Sequence, residues 1–490
     1  MRLLLDTNIL IPLQDSFVVL TANLKNFIRL AAKGGHQLLY HPASLEDIER
    51  DRDVNRRNRT LLRLEQYQIL EGVPACPWNT NSSSPNDICD NEILYALVCN
   101  AIHALVTEDK GIHSKARDLG LGDRVYNIQT AEDWLRRLHE PTEVRLPNIE
   151  DVPLHSLWPE LESAFFCSLR EDYQGFNGWF AKKAQEGRRA WICRDDQGSL
   201  GAICIYAEQT DEMVTDSGEV LPGKALKLCT FKVGDSVRGR KIGELFLKAA
   251  FRYATENKCL NIFIHGNAEK QNYLASLLAD FGFAANSGSY EGDAVWIKRH
   301  PEVAPNDSID AKDFVRLYYP HYRQDAGVSK YLIPIVPAFH DILFPDYLSP
   351  TRAQLNLFEN PQRHVGNAIK LAYLCHTQTK RIAPGDILLF YRSKDEKMLT
   401  TIGVVDDFLI SRDSAEITAQ VSRRTVYSFD QIAAMARKEV KVILFRIIKH
   451  LQSPIPYDEL KERGILSGRP QSIVKLNESK YRSFLDAAGI

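Results

Sequence analysis

The first 140 residues alternate short apolar runs with helical stretches, and this alternation constrains the fold of the N-terminal part more than any other feature. Apolar runs occur at 2–5, 37–40, 104–107 and 125–128, and helical patterns lie between or after them. Strands that alternate with helices are typical of an α/β unit with a parallel sheet. The sequence therefore predicts such a sheet at the N-terminus.

Four acidic residues lie after predicted strands or in the helices that follow them: Asp6, Glu46, Asp90 and Asp109. The carboxyl ends of parallel strands meet at one edge of a sheet, so these acids are expected to share a pocket. Gathered carboxylates repel one another unless a cation neutralises them, which implies Mg²⁺ or Mn²⁺ and a metal-activated water. Each acid alone also fits an ordinary role as a helix cap or first-turn acid, and Asp47, Glu49 and Asp87 are close competitors.

Residues 1–138 resemble the PIN-domain nucleases. The matching features are Asp6-Thr7-Asn8 after the first strand, the acid Glu46, Asp90 before an alanine-containing helix, and Val106-Thr107-Glu108-Asp109. The resemblance implies cleavage of single-stranded RNA by a metal-bound water. It also implies that the four acids are both catalytic residues and metal ligands, that Asn8 and Thr107 support them, and that a homodimer forms through this domain.

An arginine-rich stretch follows Glu46. Its members are Arg50, Arg52, Arg56, Arg57, Arg59 and Arg63. Arginine forks bind phosphate well, so these side chains are candidate RNA contacts. The alternative is a solvated helix face whose arginines pair with neighbouring acids such as Glu49 and Glu65.

A second unit is predicted at 154–300, where a strand, a turn with two glycines and a helix follow one another. Such a turn directs backbone N–H groups and the helix dipole at one point, which is an anion site. In this context the turn resembles the diphosphate loop of the GCN5-related (GNAT) acetyltransferases, as does the later Gly282-Phe283. The resemblance implies a mixed α/β fold that binds acetyl-CoA. The residues that it assigns to the cofactor are Phe231, Val233, Arg238, Gly239, Arg240, Lys241, Ile242 and Gly243.

Two positions depart from the GNAT pattern. Lys241 stands where the family usually has a glycine, and Leu278 stands where a tyrosine often serves as general acid. Tyr273, Tyr290 and His265 are the candidates for the proton transfers of acetyl transfer, and exchange through water is the alternative. A domain that only binds CoA, or only packs, is the structural alternative.

The third unit, 311–490, contains short β-rich runs and resembles the PUA-like group that includes ASCH and EVE domains. This resemblance implies a small β-barrel with helices and binding of RNA. The candidate RNA contacts are Lys370, Tyr391, Arg392, Arg469 and Ser472. Such residues at strand ends are also common as ordinary surface residues.

The chain is too long for one core, since cores stop growing at about 250–300 residues. We predict a multidomain protein of α/β and α+β type: a nuclease-like domain at 1–140, a linker at 141–153, an acetyltransferase-like domain at 154–300, a linker at 301–310 and a barrel domain at 311–490. The net charge of −2 excludes a globally basic nucleic-acid binder, so contacts with phosphate require local patches.

Nine cysteines without a CxxC pair argue against a disulfide framework or a zinc site. The start of the sequence lacks the pattern of a signal peptide and no run reaches membrane-spanning length, so we expect a cytoplasmic protein without membrane contact.

Three functions are compatible with these features. The first is a divalent-metal-dependent endoribonuclease with an acetyl-CoA-binding domain, acting as a toxin of a toxin–antitoxin or defence system with an antitoxin partner. The second is an N-acetyltransferase that modifies aminoacyl-tRNA or a protein amine and uses the N-terminal domain to bind RNA. The third is an RNA-binding regulator that responds to CoA.

Overall fold

The computed structural model describes residues 1–9, 22–51, 53–65, 67–78, 84–140, 148–267, 271–347, 363–365, 368–421, 424 and 427–490. The chain forms two compact units. The first comprises Met1–Val144 and Ile410–Val442, and the second comprises Arg145–Leu409 and Ile443–Ile490. Within the described ranges, no helix is both long enough and apolar enough to span a membrane.

The first unit is built around a five-stranded parallel sheet in the order β3-β2-β1-β4-β5. Its strands are β1 (Arg2–Leu5), β2 (Gln37–Tyr40), β3 (Gln68–Ile69), β4 (Ala104–Val106) and β5 (Val125–Tyr126). Its helices up to residue 140 are α1 (Ala22–Lys33), α2 (Pro42–Glu49), α3 (Val54–Leu64), α4 (Pro85–Val98), α5 (Lys110–Asp118) and α6 (Ile128–His139). The predicted parallel α/β sheet is confirmed.

Helices cover both faces of this sheet. Leu3 and Leu5 of β1 join one core with Phe27 of α1 and Trp134 of α6. Leu4, between them, points to the opposite core with residues of α4 and α5. Alternate residues of a strand face opposite sides, so a continuous apolar run is what a strand buried on both faces requires.

The second unit begins with a mixed sheet of eight strands in the order β11-β12-β10-β9-β8-β7-β6-β14. Its strands before residue 300 are β6 (Asn148–Pro153), β7 (Arg189–Arg194), β8 (Leu200–Thr210), β9 (Lys224–Val233), β10 (Asn261–Gly266), β11 (Ala284–Tyr290) and β12 (Asp293–Arg299). Its helices there are α7 (Cys167–Asp172), α8 (Phe176–Gln185), α9 (Ile242–Glu256) and α10 (Asn272–Asp280). Strand β6 lies within 141–153, the stretch expected to be a linker. Its pairing with β7 makes 148–153 part of this sheet.

The remaining residues add a six-stranded sheet in the order β15-β18-β17-β16-β13-β19. The further strands are β13 (Lys330–Ile335), β14 (Arg363–Val365), β15 (Lys370–Cys375), β16 (Ile387–Arg392), β17 (Met398–Ser411), β18 (Val440–Pro456) and β19 (Val474–Leu476). The further helices are α11 (Ala311–Tyr318), α12 (Pro337–Leu343), α13 (Ser414–Val421), α14 (Phe429–Met435), α15 (Tyr457–Glu462) and α16 (Glu478–Ala488). Among the described strands, β15 and β19 are the two ends of this row, so the closed barrel stays a prediction.

Two connections differ from the expected order of domains. Helices α13 and α14 belong to the first unit, where Arg424 forms an ion pair with Asp123 at 2.5 Å. Strand β14 pairs with β6, so 363–365 extends the sheet that the preceding acetyltransferase-like stretch forms. The predicted boundary between 154–300 and 311–490 therefore does not coincide with a boundary between compact units.

Candidate functional site

Asp6 directly follows β1 and is 3% exposed. Its Oδ1 accepts a hydrogen bond from the backbone N–H of Thr7 (2.6 Å), and its Oδ2 accepts one from Oγ1 of Thr107 (2.5 Å). Burial raises the pKa of Asp6 to about 6, and the charges of Asp109 and Asp47 act in the same direction. The carboxyl group is thus fixed in a site that disfavours its negative charge.

The hydroxyl of Thr107 connects the ends of β1 and β4. It donates to Asp6 and accepts from Nδ2 of Asn8 (3.2 Å) and from the backbone N–H of Asp109 (2.9 Å). A hydroxyl has one donor and two acceptor positions, so all three are used. The supporting positions expected for Asn8 and Thr107 are therefore observed beside Asp6.

Asp90 lies in the second turn of α4, because that helix begins earlier than the sequence pattern predicted. Burial raises the pKa of Asp90 to about 7, and the charges of Asp109 and Asp6 add to this effect. Lys115 acts in the opposite direction, and its Nζ donates to Asp87 at 2.5 Å. Asp6, Asp90 and Asp109 thus lie close enough to influence one another electrostatically.

Glu46 occupies a different environment from the other predicted acids. Its side chain is exposed on α2, and it is not among the charges that raise the pKa of Asp6. Its neighbour Asp47 is among those charges and accepts a hydrogen bond from Arg50 at 2.9 Å. The structure therefore favours Asp47 over Glu46 as the fourth acid of this pocket.

A divalent cation would suit the donor type of this pocket, since Mg²⁺ and Mn²⁺ prefer carboxylate oxygens. In the described ranges, however, no three Asp, Glu, His or Cys side chains are placed to hold a metal ion. Oδ1 of Asp109 accepts from the backbone N–H of Ile112 (2.8 Å), as a helix cap does. The spacing of the described side chains thus does not fit a metal site.

The arginine stretch is only partly described. Arg50 is engaged by Asp47, and Arg57 donates to the backbone carbonyls of Glu49 (3.2 Å) and Asp51 (3.3 Å). Outside the described residues lie Arg52 and the side chains of Arg56, Arg59 and Arg63. Phosphate binding by this stretch stays a prediction.

In the second unit, β9 contains an irregularity in its middle. Ile205 and Tyr206 of β8 are consecutive, but they oppose Thr230 and Leu228 of β9, so Cys229 is an extra residue. Such a β-bulge bends the strand that carries it. The second half of β9 therefore changes direction at Cys229.

The bend coincides with a separation of two parallel strands. Pairing of β9 with β10 ends at Leu228 and Ile264, although β9 continues to Val233 and β10 to Gly266. Beyond Leu228 and Ile264, the described residues of β9 and β10 no longer pair with each other, although β9 still pairs with β8 and β10 with β12. This opening between them, which we call the notch, leaves one edge of residues 229–233 without a neighbouring strand.

The turn after β9 leads from the notch to the start of α9. Gly239 has φ +78° and Lys241 has φ +57°, and Lys241 is the residue before the first turn of α9. The first N–H groups of a helix have no partner within that helix, so they form an anion site. Residues 239–243, which we call the cradle, thus lie next to the notch.

The side chains of the predicted cofactor residues have different roles. Arg238 pairs with Asp235, and Arg240 pairs with Asp196 at 2.5 Å. These pairs are at the surface, where ion pairs contribute little and exchange readily. The cradle therefore offers backbone N–H groups first and side-chain charge second.

Close packing fixes the first turn of α9. A Cβ atom on Gly243 would lie 2.8 Å from Cδ2 of Leu277, so a larger residue there would require the Leu277 side chain to shift. Ile242 is 1% exposed in the core, and Phe231 packs edge-on against Phe246 at 5.5 Å. These residues hold the cradle in position rather than supply charge.

His265 follows Ile264, the last residue of β10 that pairs with β9, and so lies at the notch. Its Nε2 lies 3.1 Å from the carbonyl oxygen of Val214. A carbonyl can only accept, so Nε2 carries the proton and Nδ1 is the basic nitrogen. Burial lowers the pKa of His265 to about 4, with a smaller effect of Lys227, and the ring stacks on Tyr290 at 4.6 Å.

The other acetyl-transfer candidates are placed differently. Tyr273 on α10 is 49% exposed. Leu278, at the position where a tyrosine was expected, is completely buried in the core. Of the three candidates, the structure thus brings His265 and Tyr290 together at the notch.

The predicted RNA contacts Tyr391 and Arg392 are corrected by their burial. Tyr391 is 2% exposed within the core. Arg392 is 4% exposed and pairs with Asp341 (2.5 Å) and Asp395 (2.7 Å). The two residues are consecutive in β16, both of whose faces are buried, so neither side chain is accessible to a base or a phosphate.

No protein-family model matches the sequence, and neither does any curated protein. Among solved structures, the chain is similar to ASCH from Zymomonas mobilis, with 14% identity, a TM-score of 0.25 and coverage of 32% of this chain and 94% of that one. It is also similar to a GNAT-family acetyltransferase from Staphylococcus aureus (13% identity, TM-score 0.24, 31% of this chain and 98% of that one). A third is Arabidopsis thaliana NAA60 in complex with acetyl-CoA (17% identity, TM-score 0.24, 31% and 99%). Sequence identities and TM-scores this low do not assign the chain to a family.

Proposed function

We propose that the chain is an acetyl-CoA-dependent N-acetyltransferase whose coenzyme site is formed by the notch and the cradle. The observation that supports this function is the separation of β9 from β10 immediately before an anion-binding helix start. An open strand edge suits the amide groups of a pantetheine chain, and the helix start suits a diphosphate. Both features are adjacent, as the length and chemistry of CoA require.

The residues at the notch have separate tasks in this reaction. Acetyl-CoA supplies an activated acetyl group as a thioester. The edge of residues 229–233 binds and orients the pantetheine chain, while the cradle holds the diphosphate. The nitrogen of the acceptor amine attacks the thioester carbonyl carbon and loses a proton to Nδ1 of His265. The C–S bond breaks, and that proton passes to the sulfur, so that CoA leaves as its thiol. The acceptor is an amine of aminoacyl-tRNA or of a protein, and assays with each substrate separate the two.

Replacing Gly239 with valine is expected to weaken binding of acetyl-CoA by at least roughly tenfold, because valine does not adopt φ +78° without strain. Isothermal titration of the full chain with acetyl-CoA measures this effect. The matched control is Gly187→Val, at φ +76° in open space in the same unit. Equal affinities of the two variants would contradict the cradle assignment.

Replacing His265 with alanine is expected to lower kcat about 100-fold, as loss of a general base does, while the KM for acetyl-CoA stays unchanged. With a pKa of about 4, His265 is neutral above pH 5 and loses its basic nitrogen only as the pH falls through 4. The wild-type rate should therefore show no decline attributable to His265 between pH 8 and pH 5. Initial rates across that range, for wild type and variant, test the role. Equal kcat values would remove His265 from the mechanism.

A second function, endoribonuclease activity, is favoured by the carboxylates around Asp6 in the first unit. Burial raises the pKa values of Asp6 and Asp90, and the charge of Asp109 raises both further, which is typical of functional sites. We propose Asp6, Asp90 and Asp109 as its acids, together with Asp47. Binding of RNA and pairing with an antitoxin are the corresponding predictions, and Mg²⁺ or Mn²⁺ is supplied with the RNA in the test because the described side chains do not themselves form a metal site.

A further inference from the structure

Lys370 links three side chains of residues 241–280, and it belongs to the sequence after residue 300, which we call the C-terminal part. The backbone N–H of Lys370, at the start of β15, donates to the carboxylate of Glu244 in the first turn of α9. The carbonyl oxygen of Lys370 accepts from Nζ of Lys241 (3.2 Å), and its Nζ donates to Asp280 at the end of α10 (3.1 Å). All of these residues belong to the second unit.

The link falls where the backbone is conformationally demanding. Lys241 has φ +57°, a left-handed conformation that is unfavourable for a non-glycine residue and persists only where surrounding contacts determine it. Lys241 and Glu244 both contact Lys370, and these contacts hold the backbone at the start and at the end of the first turn of α9. Glu244 and Lys370 are each 9% exposed. Loss of the Glu244 carboxylate would therefore leave the buried backbone N–H of Lys370 without this acceptor.

The same face of α9 makes a second contact with the C-terminal part, one turn further on. Nζ of Lys248 pairs with Asp346 at 2.6 Å, and Asp346 lies 3.2 Å from His450. Like the contact of Glu244 with Lys370, this pair is largely buried and joins α9 to a residue beyond 300, but it lies away from the cradle. It therefore offers a matched comparison.

We propose that Glu244 is a positioning residue for the diphosphate of the coenzyme, and that the C-terminal part completes the coenzyme site through Lys370. This inference rests on the proposed acetyltransferase function. It implies that the sequence up to residue 300 alone does not form a competent cradle. The pantetheine-binding edge of β9 does not depend on this contact.

The test compares two probes with the full chain: acetyl-CoA, which has a diphosphate, and S-acetylpantetheine, which has none. Glu244→Ala is expected to raise the Kd for acetyl-CoA roughly tenfold, because misplaced groups lose much of their binding effect. The Kd for S-acetylpantetheine should change by less than about twofold, since distant sites act independently. Glu244→Gln keeps an acceptor for Lys370 and should restore most of the affinity for acetyl-CoA.

Lys248→Met is the control. It removes a contact between the same two elements and should leave the ratio of the two Kd values unchanged, even if the melting temperature falls. An equal loss of both ligands in Glu244→Ala, or no recovery in Glu244→Gln, would assign Glu244 a merely structural role and overturn the proposal. Absence of binding of either ligand to the wild type would instead overturn the acetyltransferase function itself.

Discussion

Replacing Arg392 with alanine is expected to lower the free energy of unfolding by about 2 kcal/mol, less than the cost of breaking a fully buried ion pair because Asp341 and Asp395 are partly exposed. Its guanidinium is 5% exposed and neutralises Asp341 and Asp395, and it also contacts the ring nitrogen of buried His340 at 3.1 Å. Without it, Asp341 and Asp395 lose their cationic partner and His340 loses a hydrogen-bond donor. Denaturant unfolding of the full chain, followed by a probe in the second unit, measures the change.

Arg463→Ala is the control for this substitution. Arg463 pairs with Glu459 at 2.8 Å at the surface, with side chains 43% and 35% exposed. Such pairs contribute less than about 1 kcal/mol, so this variant should be almost as stable as wild type. If Arg392→Ala kept full stability but lost affinity for RNA, the earlier prediction of an RNA contact would be right and the burial argument wrong.

Replacing Asp6 with asparagine is expected to reduce cleavage of RNA at least about 100-fold, because a carboxylate of the acid pocket is lost. The amide keeps an acceptor for the hydroxyl of Thr107 and removes a buried charge, but it loses the acceptor for the backbone N–H of Thr7, so only a small change in melting temperature is expected. The measurement is cleavage of total RNA and of tRNA with Mn²⁺ or Mg²⁺, each with an EDTA control.

Asp118→Asn serves as the matched comparison, since Asp118 is exposed at the end of α5 in the same unit. It should cleave RNA as wild type does. If wild type cleaves RNA and Asp6→Asn cleaves it equally well, the activity belongs to another site. If wild type cleaves no RNA with either metal, the second function is wrong, and the acetyltransferase proposal is unaffected.

Much of the first sheet was predictable from the sequence, for a physical reason. Strands β1 and β4 are short apolar runs buried on both faces, and the residues at their carboxyl ends meet whatever conformation the loops between them adopt. Asp6 and Thr107 could therefore be placed together in advance. Whether Glu46 or Asp47 joins them could not, because neighbouring residues on a helix differ by about 100° in direction and the start of α2 was uncertain.

Other features left no readable pattern in the sequence. The bulge at Cys229 changes the register between strands, which alternation within one strand does not reveal. The insertion of 410–442 into the first unit and the pairing of β14 with β6 both depend on contacts distant in sequence. The inward direction of Arg392 was missed for a related reason, since a charged residue at a strand end suggests the surface unless its partners are known.

The most direct test of the coenzyme site is hydrogen–deuterium exchange of the full chain with and without acetyl-CoA, read by mass spectrometry. Binding at the notch and cradle predicts slower exchange of backbone amides at 229–233 and 239–243, with no change in β1 to β5. Unchanged exchange in these two segments at millimolar acetyl-CoA, or protection confined to other parts of the chain, would contradict the proposed function.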